Sequence, residues 1–146
     1  MKYLIALILL LTACHSPMNH RLTQDSSELK KLKLSKEFKN NKLMITFEWI
    51  VGPSGDINEN NSLFVVVKDE NNNLVNIPKG LSLSFYATMP SMGHPLDDAG
   101  YFEPLSKGLY LNQTIKYNMG GQWLNELWLV DEDLNIKDKI SWQDTL

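Results

Sequence analysis

From Leu43 to Trp142 apolar and polar residues alternate with a period of two, the pattern of strands that bury one face. Leu43, Ile45, Phe47, Trp49 and Val51 alternate with Met44, Thr46, Glu48 and Ile50, until Gly52-Pro53-Ser54-Gly55-Asp56 breaks the run. Ser62–Lys68 is a β-branched stretch between the turn signals Asn58–Asn61 and Asn71–Asn73. It reads as a buried strand whose second turn leads into a hairpin with Leu74–Ile77. Leu81, Leu83, Phe85, Ala87 and Met89 point one way, and Ser82, Ser84, Tyr86 and Thr88 the other. Leu109, Leu111, Gln113, Ile115 and Tyr117 make the next alternating set. Met119-Gly120-Gly121 then turns the chain into Trp123–Val130, and a last strand is expected around Ile136–Trp142 after Asp131-Glu132-Asp133.

Short strands separated by turns every few residues, with no long helical period, imply an all-β fold. The expectation is an immunoglobulin-like antiparallel β-sandwich of about seven strands. Trp49, Trp123, Trp128 and Trp142 all fall in these strands, where large aromatics serve as core. Trp123 and Trp128 have opposite parity, so at least one must face away from it. The pattern changes ahead of Asn41. From His15 to about Lys36 the chain is polar, which reads as a flexible tether, with Leu29, Leu32 and Leu34 at the spacing of a short helical turn. Three segments result: residues 1–13, a tether over 14–40, and the sandwich over 41–146.

Residues 1–13 have a different character. Lys2 precedes the uncharged run Leu4–Leu11, which is too short for a permanent span of about 20 residues and has the anatomy of an export signal peptide. The run closes on Leu11-Thr12-Ala13-Cys14, which resembles the lipobox of bacterial lipoproteins. The resemblance implies cleavage before Cys14 and acylation of that residue, with membrane lipid as its partner. More than one acyl chain gives stable attachment. Cys14 is the only cysteine and has no internal disulfide partner. A cell-envelope location follows, facing the periplasm or the exterior; His15, in place of Asp after the cysteine, permits the outer membrane.

Charge narrows the partners. The chain carries 14 Lys and Arg against 17 Asp and Glu, a net −3. Nucleic acid is excluded as a partner, since phosphate binding needs a clustered basic surface. Lys30, Lys31 and Lys33 read as a solvated face of the tether. The sandwich region has a single histidine, His94, no cysteine and no nucleophile elbow, and its paired carboxylates lie in turns. A non-enzymatic protein is expected.

One segment carries soft donors. Met89-Pro90-Ser91-Met92-Gly93-His94 places two thioethers and an imidazole in a short loop after a core strand, a donor set suited to Cu(I), and Met119 is a fourth candidate. Met89 is in phase with the core residues of its strand and also reads as packing. His15, Met18 and His20 form a second soft group in the tether, where closing an unfolded segment around an ion is entropically opposed. The string MPSMGH, the segment Gly108-Leu109-Tyr110 and Met119-Gly120-Gly121 with Trp123 resemble the YtkA-like and FixH-like domains over roughly Asn41 to Asp131. That resemblance implies a small immunoglobulin-like sandwich in an exported protein, with a role in binding or delivering copper for respiratory oxidase assembly. The competing expectation is an interaction lipoprotein that docks an envelope protein without metal.

Overall fold

The computed structural model describes residues 34–146, so Cys14, the export signal and the group His15, Met18 and His20 lie outside the described residues. The described chain folds into β1 (Leu34–Phe38), β2 (Leu43–Val51), β3 (Asn61–Lys68), β4 (Leu81–Met89), β5 (His94–Pro95), β6 (Glu103–Ser106), β7 (Leu109–Ile115), β8 (Gln122–Asp131) and β9 (Ile136–Thr145). They form two antiparallel sheets, one ordered β1-β2-β3-β7-β6 and the other β5-β4-β8-β9. The all-β sandwich read from the alternation is the observed fold.

Strand β4 shows the rule most plainly. Leu83, Phe85, Ala87 and Met89 are buried and the residues between them are not. Ile45, Phe47 and Val65 from β2 and β3 of the facing sheet, with Leu127 from the neighbouring β8, complete the core between the sheets. Trp123 is fully buried, while Trp128 stands on the outer face and stacks on Tyr86 at 4.7 Å, as their opposite parity requires.

Three expectations need correction. Residues 34–40 were assigned to the tether, yet Leu34–Phe38 pairs with Phe47–Leu43 as β1. Only Phe38 of this edge strand is buried, so the alternation that marks a strand is missing there. Gln113 was placed on the same face as Ile115 and Tyr117, but it is exposed and Asn112 is buried. Asn61 faces Ile115 and Leu63 faces Asn112, so β7 spends one residue more than β3 between these pairs, and the bulge inverts the parity. Leu74–Ile77 forms no second hairpin strand. A single bridge joins Lys68 to Leu74, and β3 pairs with β7 instead. The segment is held elsewhere, with Ile77 N–H donating to the Tyr110 hydroxyl and Asn76 Oδ1 accepting from Gly108 N–H.

The loops Asp69–Asn73 and Asp131–Asn135 are built alike. In each, the aspartate Oδ1 accepts from the backbone N–H two and four residues on. In each, the fourth residue takes a left-handed conformation, Asn72 at φ 65° and Leu134 at φ 63°. Asparagine tolerates that region and leucine does not. Leu134 is also 77% exposed, so it contributes no packing in return. Leu134→Asn is therefore expected to stabilise the chain by about 0.5–1 kcal/mol, read as a higher urea midpoint.

Asp131 also pairs with Lys137 at 2.6 Å, and this contact, helped by Asn135, holds its carboxyl down at about 2 against an ordinary 3.8. A lowered folded-state value contributes stability that is complete above the unfolded value and is lost as pH falls through the folded one. Stability curves taken between pH 5 and pH 1.5 should converge for wild type and Asp131→Asn at the acid end, draw apart as pH rises from about 2 to about 4, and run parallel above that.

Candidate metal centre

Strand β4 ends at Met89, and the four residues Pro90–Gly93 reverse the chain into β5. The Met92 and Gly93 N–H groups both donate to the Met89 carbonyl. Gly93 closes the turn at φ 62°, a conformation that glycine adopts without strain. In the resulting register Met89 and His94 are direct cross-strand partners. Opposed residues of an antiparallel pair project from the same face with Cβ atoms about 5 Å apart, so the two side chains leave the sheet from neighbouring positions. Met89 is 4% exposed and belongs to the core, whereas His94 is half-buried at the sandwich edge.

The imidazole is oriented. His94 Nδ1 lies 2.7 Å from the Pro95 carbonyl oxygen. A carbonyl only accepts, so Nδ1 carries the proton and donates it there, leaving the lone pair on Nε2. Asn118, in the connection from β7 to β8, donates its side-chain N–H to the same Pro95 oxygen at 3.4 Å, its nitrogen lying 3.3 Å from His94 Nδ1. Backbone bonds between Asp97, Asp98 and Lys116 tie the two segments together.

The other two sequence candidates lie in the same region but differ in setting. Met92 stands at the tip of the turn, 62% exposed. Met119 is half-buried against the core, and its carbonyl accepts from the Trp123 indole N–H at 3.1 Å. Gly121, two residues on, lies against Met89: a Cβ there would sit 2.8 Å from the Met89 methyl. Gly121 also has φ 136°, so the close approach of this loop to the thioether depends on glycine. Register thus brings Met89 and His94 together, while Met92 and Met119 flank them from the turn and the facing loop.

The donor set tests which ions the corner suits. Among the described residues no three His, Cys, Asp or Glu side chains form a metal-holding group. A thioether beside an imidazole with a free Nε2 fits Cu(I), which accepts soft donors at low coordination number.

The same end of the sandwich holds a polar network that the alternation did not reveal. Asp144 Oδ2 accepts from the Trp49 indole at 3.0 Å, the Trp142 indole at 2.9 Å and the Asn125 amide at 2.8 Å. Asn125 Oδ1 accepts in turn from the Tyr117 hydroxyl at 2.6 Å. Burial, with the nearby Asp144 carboxylate, pushes the Tyr117 phenol well above its ordinary range. The available signal was polarity at inward positions: Asn125 is in phase with Trp123 and Leu127, and Asp144 with Ile140 and Trp142.

The sequence matches no described protein family and no curated protein, so the resemblance to YtkA-like and FixH-like domains stands on its motifs alone. Solved structures share the fold. FetP from a uropathogenic E. coli strain, expressed in the periplasm, is 14% identical with a TM-score of 0.50, over 79% of this chain and 93% of that one. Two copper-bound variants of Campylobacter jejuni P19 are 12% and 14% identical with TM-scores of 0.48 and 0.49. They align over 79% of this chain and 95% and 94% of their own. At these identities the likeness is one of fold.

Proposed function

We propose that this chain is an exported lipoprotein, acylated at Cys14, whose sandwich takes up Cu(I) at the Met89–His94 corner for transfer within the cell envelope. The observation that carries the reading is the cross-strand pairing of Met89 with His94, together with the Nδ1 hydrogen bond that leaves Nε2 as the donor. Met92, exposed at the turn, is the donor an incoming ion meets first, and Met119 lies on the facing loop. Copper here is cargo. A low-coordinate site with one donor in solvent suits hand-over, because ligands can be exchanged one at a time. The YtkA-like and FixH-like resemblance points to respiratory oxidase assembly as the destination. The reading is tested on protein isolated from its own envelope: an N-terminal peptide carrying acyl mass on Cys14 and copper retained in the sandwich support it. An unmodified Cys14, or protein that holds no copper after growth in copper, contradicts it.

A second reading has its own observation. The outer face of the β5-β4-β8-β9 sheet carries the Tyr86–Trp128 stack, with the Trp128 indole donating to Glu126 and Lys139 paired to Glu126 at 2.8 Å. Such an aromatic patch with a polar rim suits docking of an envelope protein.

A further inference from the structure

Strand β3 is apolar on both faces. Leu63, Val65 and Val67 are buried in the core, while Phe64 and Val66 between them point outward and are half-buried. Cross-strand partners share a face, so the register extends this outer patch to Leu109 and Leu111 of β7 and to Met44 of β2. The second sheet differs, since the outward positions of β4 are Ser82, Ser84, Tyr86 and Thr88. An unbroken apolar run marks a strand covered on both sides. Here Phe64, Val66, Leu109 and Leu111 stay half-buried and Met44 is exposed.

Charge borders the patch. One row across the outer face reads Glu48, Phe64, Leu111, Glu103, each paired with the next, and Glu37 stands on the same face opposite Met44. Among the described residues none of these three carboxylates enters an ion pair, and Lys68 on the same face is held by Asn72 Oδ1 at 2.8 Å. Leu34, the first described residue, lies in the adjoining row with Phe47, Val65 and Tyr110. We propose that residues 29–33, which lead into it, dock on this face. Leu29 and Leu32 cover Phe64 and Leu111, and Lys30, Lys31 and Lys33 are set against the carboxylates. The reach suffices, because five extended residues span about 17 Å and β1 lies three strand spacings, about 14 Å, from β7. Charge selects this occupant over the bilayer, whose anionic surface repels the same carboxylates. Docking shortens the span between Cys14 and the sandwich to residues 14–28, and it requires neither copper nor acylation.

Methyl NMR of the mature Cys14→Ser chain, dilute, metal-free and without lipid, reads the contact directly. The Leu29 and Leu32 methyl groups are expected to show nuclear Overhauser contacts to the Phe64 ring and the Leu111 methyls. Leu29→Ser combined with Leu32→Ser changes only residues that precede β1, so the sandwich keeps its own core. That double variant should lose the contacts and shift the Phe64 and Leu111 signals. Leu29 and Leu32 methyl groups that touch nothing in the sandwich overturn the proposal. So do Phe64 and Leu111 signals that the double variant leaves in place. Signals that move with protein concentration place a second copy on the face and contradict the proposal. Signals that move only on adding vesicles of phosphatidylethanolamine and phosphatidylglycerol place the bilayer there and contradict it as well.

Discussion

Asp144→Ala is expected to lower the unfolding free energy by about 3–5 kcal/mol, because one carboxylate oxygen serves three N–H donors and hydrogen bonds to charged groups contribute about 1.5–3 kcal/mol each, less than additively. The donors come from both sheets: Trp49 from β2, Asn125 from β8 and Trp142 from β9 itself. Removing the acceptor strands two indoles and an amide, and the Tyr117 hydroxyl loses its oriented partner as well. Against a total stability of about 5–15 kcal/mol for a domain of this size, the loss is a large fraction. Asp144→Asn keeps the shape and one acceptor oxygen and should lose about 1–2 kcal/mol. Urea unfolding followed by tryptophan fluorescence reads both variants. An alanine variant within 1 kcal/mol of wild type, a threshold set by a single ordinary hydrogen bond, would falsify the three-donor account.

The second large effect concerns binding. His94→Ala in the mature chain, with Cys14→Ser to remove the thiol that would itself take Cu(I), should weaken Cu(I) binding about 100-fold or more, since it deletes the only nitrogen donor of the corner. Met89→Leu isolates the sulfur. The swap conserves volume in a packed core, so its stability change should stay under about 1.5 kcal/mol while affinity falls about 10–100-fold. Met92→Leu, at an exposed tip that the fold does not fix, should lose less. Competition with a chelator of known affinity gives all three numbers. Equal losses in Met92→Leu and Met89→Leu would shift the site outward to the turn and away from the strand pair.

Most of the fold was legible because β2, β3, β4 and β8 bury one face and solvate the other, and a period of two survives any detail of packing. What escaped has physical causes. Strand β1 is an edge strand with one buried residue, so it carries almost no pattern. The bulge in β7 reverses the parity partway along, and no local residue preference announces an extra residue in a ladder. The site was legible in composition and not in arrangement. Met89, Met92 and His94 stand out as soft donors in the sequence, and Met89 was in phase with the core, where it packs. Only the register shows that Met89 and His94 are opposed, and only the path of the β7–β8 connection brings Asn118 to the His94–Pro95 segment. Asp144 lay beyond the expected end of the last strand, which runs on to Thr145.

The central claim, that a thioether and the His94 imidazole hold Cu(I) together, is tested most directly by X-ray absorption at the copper edge on the Cu(I)-loaded Cys14→Ser chain. Sulfur and nitrogen scatterers together are predicted, with the nitrogen lost in His94→Ala and the sulfur reduced in Met89→Leu. A first shell of nitrogen and oxygen alone, or a spectrum that neither substitution changes, would contradict it.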